Sequence, residues 1–359
     1  MASIEIRHLK LIDTVAEVGT LKNAAEKLFL TQSALSHQLK ELESRLGTQI
    51  FYRVNNQLVF TTSGKELRDA SKEILERLKQ AESTIQEISQ DHMKNYIHGY
   101  SQEETTRLND QANSIAELLH WDSKWKEGSL ILEAGCGVGA QTKIIAKKNL
   151  DSTFVSVDLS TASLEKAEES IKEHDIKNVE FKVADLLNLP FKDDHFDHIF
   201  VCFVLEHMSH PKEAMQELKR VLKPGGTLMI IEGDHGSAYF YPDSLCAQKV
   251  VQAQVTLQQQ KGGNANIGRA LYPLLLDSGF KNITISPRQV YVDDSKPELL
   301  DGFIKNTFTA MVRGITEEAL AKKIISKEEM NRGINDLYKT AEGGGTFCYT
   351  FFKGIAIKD

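Results

Sequence analysis

The stretch from Ser129 to Ala140 narrows the possible folds more than any other part of the chain. Ser129-Leu-Ile-Leu-Glu-Ala is an apolar run of strand length. It passes directly into Gly135-Cys136-Gly137-Val138-Gly139, and a helical pattern begins at Gln141. Glycines behind a buried strand let the backbone approach a ligand with no Cβ in the way, and the helix N-terminus that follows offers unpaired N–H groups. This is how a loop for a nucleotide-type cofactor is built. The alternation then repeats. Thr153–Val157 reads as a strand ending in Asp158, and Val179–Val183 as one followed by Ala184-Asp185-Leu186. His198–Phe203 precedes Leu205-Glu206-His207, and Leu222-Lys223-Pro224-Gly225-Gly226 turns into Thr227–Ile231. Successive βα units of this length predict a parallel, doubly wound sheet, with its ligand at the carboxyl ends of the strands. An acid at Asp158 is placed to accept hydrogen bonds from both hydroxyls of a ribose.

The chain is longer than one such unit. Its 359 residues, 41% hydrophobic and 26% charged, suggest two or three globular domains at roughly 100–200 residues each. There is no run of eighteen apolar residues, which argues against a membrane span, and the opening MASIEIRHLK has no secretory core. Cys136, Cys202, Cys246 and Cys348 are scattered with no C-x-x-C pair, so a cytoplasmic location is expected. The net charge of −7 is uneven: residues 1–90 carry 12 basic and 12 acidic residues, and the remainder carries 31 and 38. A DNA-binding face therefore remains open for the first ninety residues.

Those residues have a helical texture. Apolar positions predict a helix to Val18, stopped by Gly19, and a short one over Leu21–Phe29 with Ala24-Ala25 allowing close approach. A third runs from an N-cap at Thr31 to Leu46, with Gly47 as its stop. Leu35, Leu39, Leu42 and Leu46 fall on one face of it, and Ser33, Ser36, His37 and Lys40 on another. Short hydroxyls with a histidine and a lysine can lie in a major groove, with Lys40 on a phosphate; a protein–protein module with a solvated polar face is the alternative. Gln49–Arg53 and Gln57–Thr61 flank Asn55-Asn56 as a small hairpin or wing. Over residues 63–91, Leu67, Ile74, Ala81 and Ile88 recur every seven residues with Leu78 and Ile85 between them, which predicts a coiled-coil seam and a homodimer; packing of the stripe on the chain's own second domain is the alternative. The polar stretch ending at Gly99 is the expected hinge.

Residues 4–90 resemble the winged helix-turn-helix and linker helix of LysR-type transcriptional regulators. The resemblance rests on Gly19-Thr20, Ala24-Ala25, Leu28, Thr31-Gln32-Ser33-Ala34-Leu35-Ser36, Leu42-Glu43, Leu46-Gly47, Phe51, Arg53, Thr61 and Gly64. TQSALSHQLKELESRLG is similar in particular to the LysR-type regulators of methionine biosynthesis; Ser33 stands where many members have proline. The resemblance implies that Gln32, Ser33, Ser36, His37 and Arg53 contact an operator in double-stranded DNA, and that helix 63–91 pairs two subunits. The two-lobed effector domain usual in that family is absent from the pattern that follows.

From about Tyr96 onward a second resemblance applies. Gly135-x-Gly137-x-x-Ala140 alone also fits a dinucleotide fingerprint. Glu133 two residues before the first glycine, Gly135-x-Gly137-x-Gly139, Asp158, Asp185 and the Leu-Lys-Pro-Gly-Gly turn together resemble class I S-adenosylmethionine-dependent methyltransferases. That resemblance implies S-adenosylmethionine as cofactor. Gly135, Cys136, Gly137 and Gly139 would lie along its methionine part and ribose, and Glu133 would order the loop or meet the ammonium. Asp158 with Leu159 would hold ribose, Asp185 with Leu186 would frame adenine, and Cys202 and Phe203 would lie beside the sulfur. Gly99 to Leu108 is similar to a closing N-terminal helix in which Tyr100 and Arg107 reach the cofactor carboxylate. Ile283–Val292 and Thr346–Ile357 give the sixth and seventh strands, the seventh antiparallel, with helical insertions near 238–265 and 295–342 expected to cap the substrate site.

Methyl transfer is an in-line displacement at an activated carbon, so positioning dominates and a base is needed only for a protonated acceptor. Glu206, His207, Asp234 and His235 near the strand ends are the candidates; a polar residue satisfied at a strand–helix junction is the structural alternative for each. His195-x-x-His198 and His207-x-x-His210 do not read as a metal site, because such spacing needs a helix to face both ligands one way. Cys136 reads as loop filler sooner than as a redox thiol.

The expectation is a multidomain chain. It has an all-α winged helix-turn-helix (1–62), a linker and dimerisation helix with hinge (63–95), and an α/β Rossmann-like class I methyltransferase domain with a seven-stranded sheet (96–359). The function expected is a DNA-binding regulator fused to an enzyme that methylates a small molecule. The alternative is a catalytically silent S-adenosylmethionine sensor. DNA methylation is disfavoured, since no N/D-P-P-Y/F or P-C motif is seen.

Overall fold

The computed structural model describes residues 4–28, 30–54, 57–94 and 102–359, with the chain in two compact units, Met1–Asp91 and His92–Asp359. The first unit holds α1 (Ile6–Val18), α2 (Leu21–Lys27), α3 (Gln32–Leu46), the antiparallel pair β1 (Phe51–Val54) and β2 (Gln57–Phe60), and all but the last three residues of α4, which runs from Thr62 to Lys94. Thr20 and Thr31 cap α2 and α3, accepting from the N–H groups of Asn23 and Ala34, each at 3.2 Å. Gly19 and Gly47 end α1 and α3 in the left-handed conformation. Leu11, Ile12, Val15, Ala24, Leu35, Leu42 and Ile50 form the core. Gly64 admits no side chain: a Cβ there would lie 2.1 Å from the Ile50 carbonyl oxygen, so α4 starts hard against the wing.

The second unit opens with α5 (Gln102–His120) and then alternates β3 (Leu130–Ala134), α6 (Thr142–Lys148), β4 (Thr153–Asp158), α7 (Thr161–Glu173), β5 (Val179–Val183), β6 (Phe196–Cys202), α8 (Pro211–Val221) and β7 (Leu222–Tyr241). After β7 come α9 (Leu245–Gln260), α10 (Leu271–Asp277), β8 (Lys281–Val292), helices between 297 and 339, and β9 (Thr346–Ile357). The sheet order is β5-β4-β3-β6-β7-β9-β8. β3 to β7 are parallel, and β9 lies antiparallel to both β7 and β8. Strand residues alternate between two cores: Ile131, Phe154, Phe200 and Met229 enter one, and Leu132, Val155, Ile199 and Leu228 the other. Helices cover both faces, as a buried parallel sheet requires.

Two features depart from the sequence expectation. The fifth strand extends beyond Thr227–Ile231 in both directions, to Leu222 and Tyr241. Pairing with β9 carries it past Asp234-His235-Gly236, where the register shifts. Within the 295–342 insertion, Leu300–Thr309 is a π-helix, in which Thr307 donates its hydroxyl to the Gly302 carbonyl at 2.6 Å. The tight place there is Gly302 itself, where a Cβ would meet the Ser114 side chain of α5 at 3.0 Å. The expected hinge lies largely outside the described residues, α4 being helical to Lys94.

Candidate functional site

A cleft of about 280 Å³ opens at the carboxyl ends of β3, β4 and β6 and the segment after β5. Glu133, Gly135, Cys136, Gly137, Asp158, Leu159, Asp185, Leu186, Cys202 and Phe203 all line it, with Glu104, Thr105, Leu108 and Gln111 of α5 facing them. Gly135 is at φ 78°, and a Cβ on it would lie 2.5 Å from the Val204 side chain, so both backbone conformation and space exclude other residues. Gly139 sits outside the lining and packs on Ala167 of α7 instead.

The acids are held by the chain itself. Asp158 accepts from the N–H of Gly137 at 2.8 Å through Oδ2 and of Ser160 at 2.9 Å through Oδ1, which fixes its carboxylate at the cleft. Asp185 accepts from the N–H of Leu187 at 2.9 Å. A carboxylate oxygen has a second lone pair, so all of these remain acceptors for a ligand. Glu133 is buried and accepts the Ser156 hydroxyl at 2.6 Å; burial pushes its carboxyl up to about 7. Burial raises Asp158 as well.

Arg107 is placed differently from the expectation. It makes a buried, two-pronged ion pair with Glu104 at 2.6 and 2.7 Å and bonds Gln111 at 3.0 Å. It lines a second, smaller cavity of about 40 Å³, not the cleft. Tyr100 lies outside the described residues. The two cavities share Leu108, Gln111, Phe203 and His207 as walls. Phe203 holds the partition at φ 58°, a left-handed conformation that costs a non-glycine residue about 1–2 kcal/mol.

Of the four candidate catalytic residues, three converge on the smaller cavity. Glu206, His207 and His235 line it with Tyr349, Phe351, Met311 and Gly233. The Glu206 carboxylate lies 3.6 Å from Nε2 of His207 and 3.9 Å from Nε2 of His235. The Tyr349 hydroxyl and Nδ1 of His235 are 2.7 Å apart. Burial, followed by the nearby Arg107 charge, takes His207 down to about 4; burial also lowers His235, so both rings are neutral at pH 7. Asp234 lines neither cavity. Arg269 grips its carboxylate at 2.6 and 2.7 Å.

Sequence reasoning missed Glu232. Fully buried at the end of the expected fifth strand, it accepts from the N–H groups of Val204 and Leu205 at 3.0 and 2.8 Å and so pins the turn that carries Glu206 and His207. Burial, with Glu206 adjacent, pushes its carboxyl well up. Tyr349, Gln111 and Met311 were missed too. The insertions do not cap the cleft: none of its lining comes from 238–265 or 295–342. They close the smaller cavity instead, Met311 as wall and Gln258 by donating to Glu206 at 2.9 and 3.3 Å.

In the first unit, Gln32, Ser33, His37 and Lys40 stand exposed on α3, Ser36 is half-buried, and Arg53 is exposed on the wing. Among the described residues no cluster of three or more His, Cys, Asp or Glu is arranged to hold a metal, and no helix is long and apolar enough to cross a membrane.

Comparison with known proteins matches both regions. Residues 6–65 match the family described as bacterial regulatory helix-turn-helix protein, lysR family, and residues 132–230 match the methyltransferase domain family. An uncharacterized methyltransferase of Schizosaccharomyces pombe is 33% identical over 161 residues, 43% of this chain and 58% of that protein. The HTH-type transcriptional regulator MetR of Buchnera aphidicola is 45% identical over 78 residues, 22% of this chain and 25% of that one. The chain thus spans little more than half of the first relative and a quarter of the second. The YcgJ protein of Bacillus, solved by crystallography, is 17% identical with a TM-score of 0.47, over 68% of this chain and 98% of that one. The chain is accordingly a fusion of a lysR-family helix-turn-helix domain, a DNA-binding regulator module, with a methyltransferase domain.

Proposed function

We propose that the second unit binds S-adenosylmethionine in the large cleft and transfers its methyl group to a small molecule, and that the first unit addresses this activity to an operator in double-stranded DNA. The observation that carries the reading is the acid-lined cleft, with a second, histidine-bearing cavity that shares walls with it. Glu133, Asp158 and Asp185 suit an ammonium, a ribose diol and an adenine amine. A dinucleotide is a poor fit, because its pyrophosphate would bring two negative charges into a lining with several carboxylates. When bound, the cofactor supplies an electrophilic methyl carbon. The chain's residues do the rest: the three acids orient the donor, Phe203 lies in the wall common to both cavities, and His207, lining both, is the group placed to take a proton.

Isothermal titration with S-adenosylmethionine, with Asp158→Ala as control, tests the binding. Transfer of labelled methyl groups into a metabolite extract tests the chemistry. The similarity of the first unit to MetR supports a second reading, in which the cleft reports cofactor level to the DNA-binding unit. It requires the two DNA-binding states to differ in cofactor affinity; identical operator titrations with and without cofactor would remove it.

The domain limits we assign are 1–62, 63–95 and 96–359, in a cytoplasmic protein. A homodimer through α4 is supported by Ile74, which is 50% exposed on the seven-residue stripe. The side chains of Ala81, Ile85 and Ile88 lie outside the described residues.

A further inference from the structure

We infer that the smaller cavity receives the reacting group of the methyl acceptor, and that this group is a compact, uncharged hydroxyl. The inference rests on the methyltransferase reading above and deepens it.

Size is the first constraint. At roughly 10–15 Å³ per water-sized occupant, a cavity of about 40 Å³ admits some three non-hydrogen atoms, so it takes a functional group and not a ring. Position is the second. The cavity shares the Phe203 and His207 walls with the cofactor cleft, and on the methyltransferase reading the donor sulfur lies beside Phe203, which makes donor and occupant neighbours.

Charge is the third constraint. The one guanidinium in the lining, Arg107, is already paired with Glu104 at 2.6 Å, and Glu206 adds a carboxylate, so an anionic acceptor has nothing to meet. Glu206 faces the two imidazoles and the Gln258 amide, and Phe203, Phe351, Met311 and Leu108 line the cavity together with Gln111 and Tyr349. With Arg107 engaged by Glu104 and Gln111, Tyr349 by His235 and Glu206 by Gln258, a neutral occupant asks less of this lining than an ion of either sign.

Proton bookkeeping separates hydroxyl from amine. An alkylammonium, with an ordinary value of about 10 like lysine's, must shed its proton before it can attack, and a buried imidazole held neutral is a poor taker for it. A hydroxyl needs no prior ionisation. Its oxygen lone pair forms the new bond to the methyl carbon while the carbon–sulfur electron pair stays on sulfur. The oxygen, then carrying three substituents, passes its proton to His207. Glu206, 3.6 Å from Nε2 of that ring, offsets the charge that forms. Tyr349 and His235, 2.7 Å apart, complete the lining.

The test uses the full chain loaded with S-adenosylhomocysteine and three probes of similar size: ethanol, ethylammonium and acetate. The readout is the NMR signal of the His207 and His235 imidazoles, assigned with His207→Gln and His235→Gln. Ethanol should shift both rings at concentrations at least ten-fold below those at which ethylammonium or acetate does. If ethylammonium or acetate is preferred, or if ethanol moves neither ring while S-adenosylhomocysteine is bound, the hydroxyl assignment is overturned and the methyltransferase reading stands. If S-adenosylhomocysteine itself does not bind, both fall together.

Discussion

The two units place their candidate sites in opposite environments. On α3 the polar face is exposed and bears none of the structural load, which falls on Leu35 and Leu42 on the other side of the helix. In the second unit the candidate groups are buried among the strands that position them: Glu133 and Glu232 are each nearly inaccessible, and their carboxyls are pushed up by that burial. An exposed site can change without unfolding its scaffold. A buried one couples ligand binding to protonation and to the stability of the fold.

The sharpest way to break the comparison is to unfold one unit alone. Leu35→Ala should cost the first unit about 2–5 kcal/mol and abolish operator binding. Calorimetric titration of S-adenosylhomocysteine should be unchanged; a loss there would show that the units are not separable. Asp158→Ala should do the reverse, weakening the cofactor about 100-fold by removing hydrogen bonds to a charged acceptor, with operator affinity in gel-shift assays unaffected.

The third prediction concerns pH. Glu133 is raised to about 7, so the folded state holds a proton that the unfolded chain releases near 4.5. Ligand-free stability should therefore fall as pH rises from 4.5 through 7. Affinity for a ligand bearing an ammonium should move oppositely, climbing about ten-fold between pH 6 and 8. Titrations at several pH values check this, and Glu133→Gln should flatten both trends. The smallest effect belongs to the exposed face: Lys40→Ala should weaken operator binding several-fold regardless of sequence and lower the salt slope by about one unit.

The sequence was most readable where backbone chemistry is local. β5 and β9 begin and end at the residues that the apolar runs marked, and Thr31 and Gly47 bound α3 as their side-chain chemistry requires. Readability failed where partners are distant. Tyr349 meets His235 across 114 positions, and nothing near either residue announces the other. Asp234 looks like any acid after a strand until Arg269, 35 residues on, is seen to hold it. The length of β7 depends on β9, which enters the sheet more than a hundred residues later, so Asp234-His235-Gly236 reads as a loop in isolation. The second cavity was unreadable for the same reason, drawing its walls from α5, β7, β9 and the inserted helices.

The place of β9 in the sheet has a consequence for how the chain is made. It is synthesised after every other strand, yet it lies between β7 and β8. Sheet closure waits for residues 346–357, whereas the residues of the first unit are complete by position 91. At ribosomal speeds of 5–20 residues per second that interval is roughly 13–50 s. During translation, therefore, every residue of the first unit is made well before the sheet of the second unit can close.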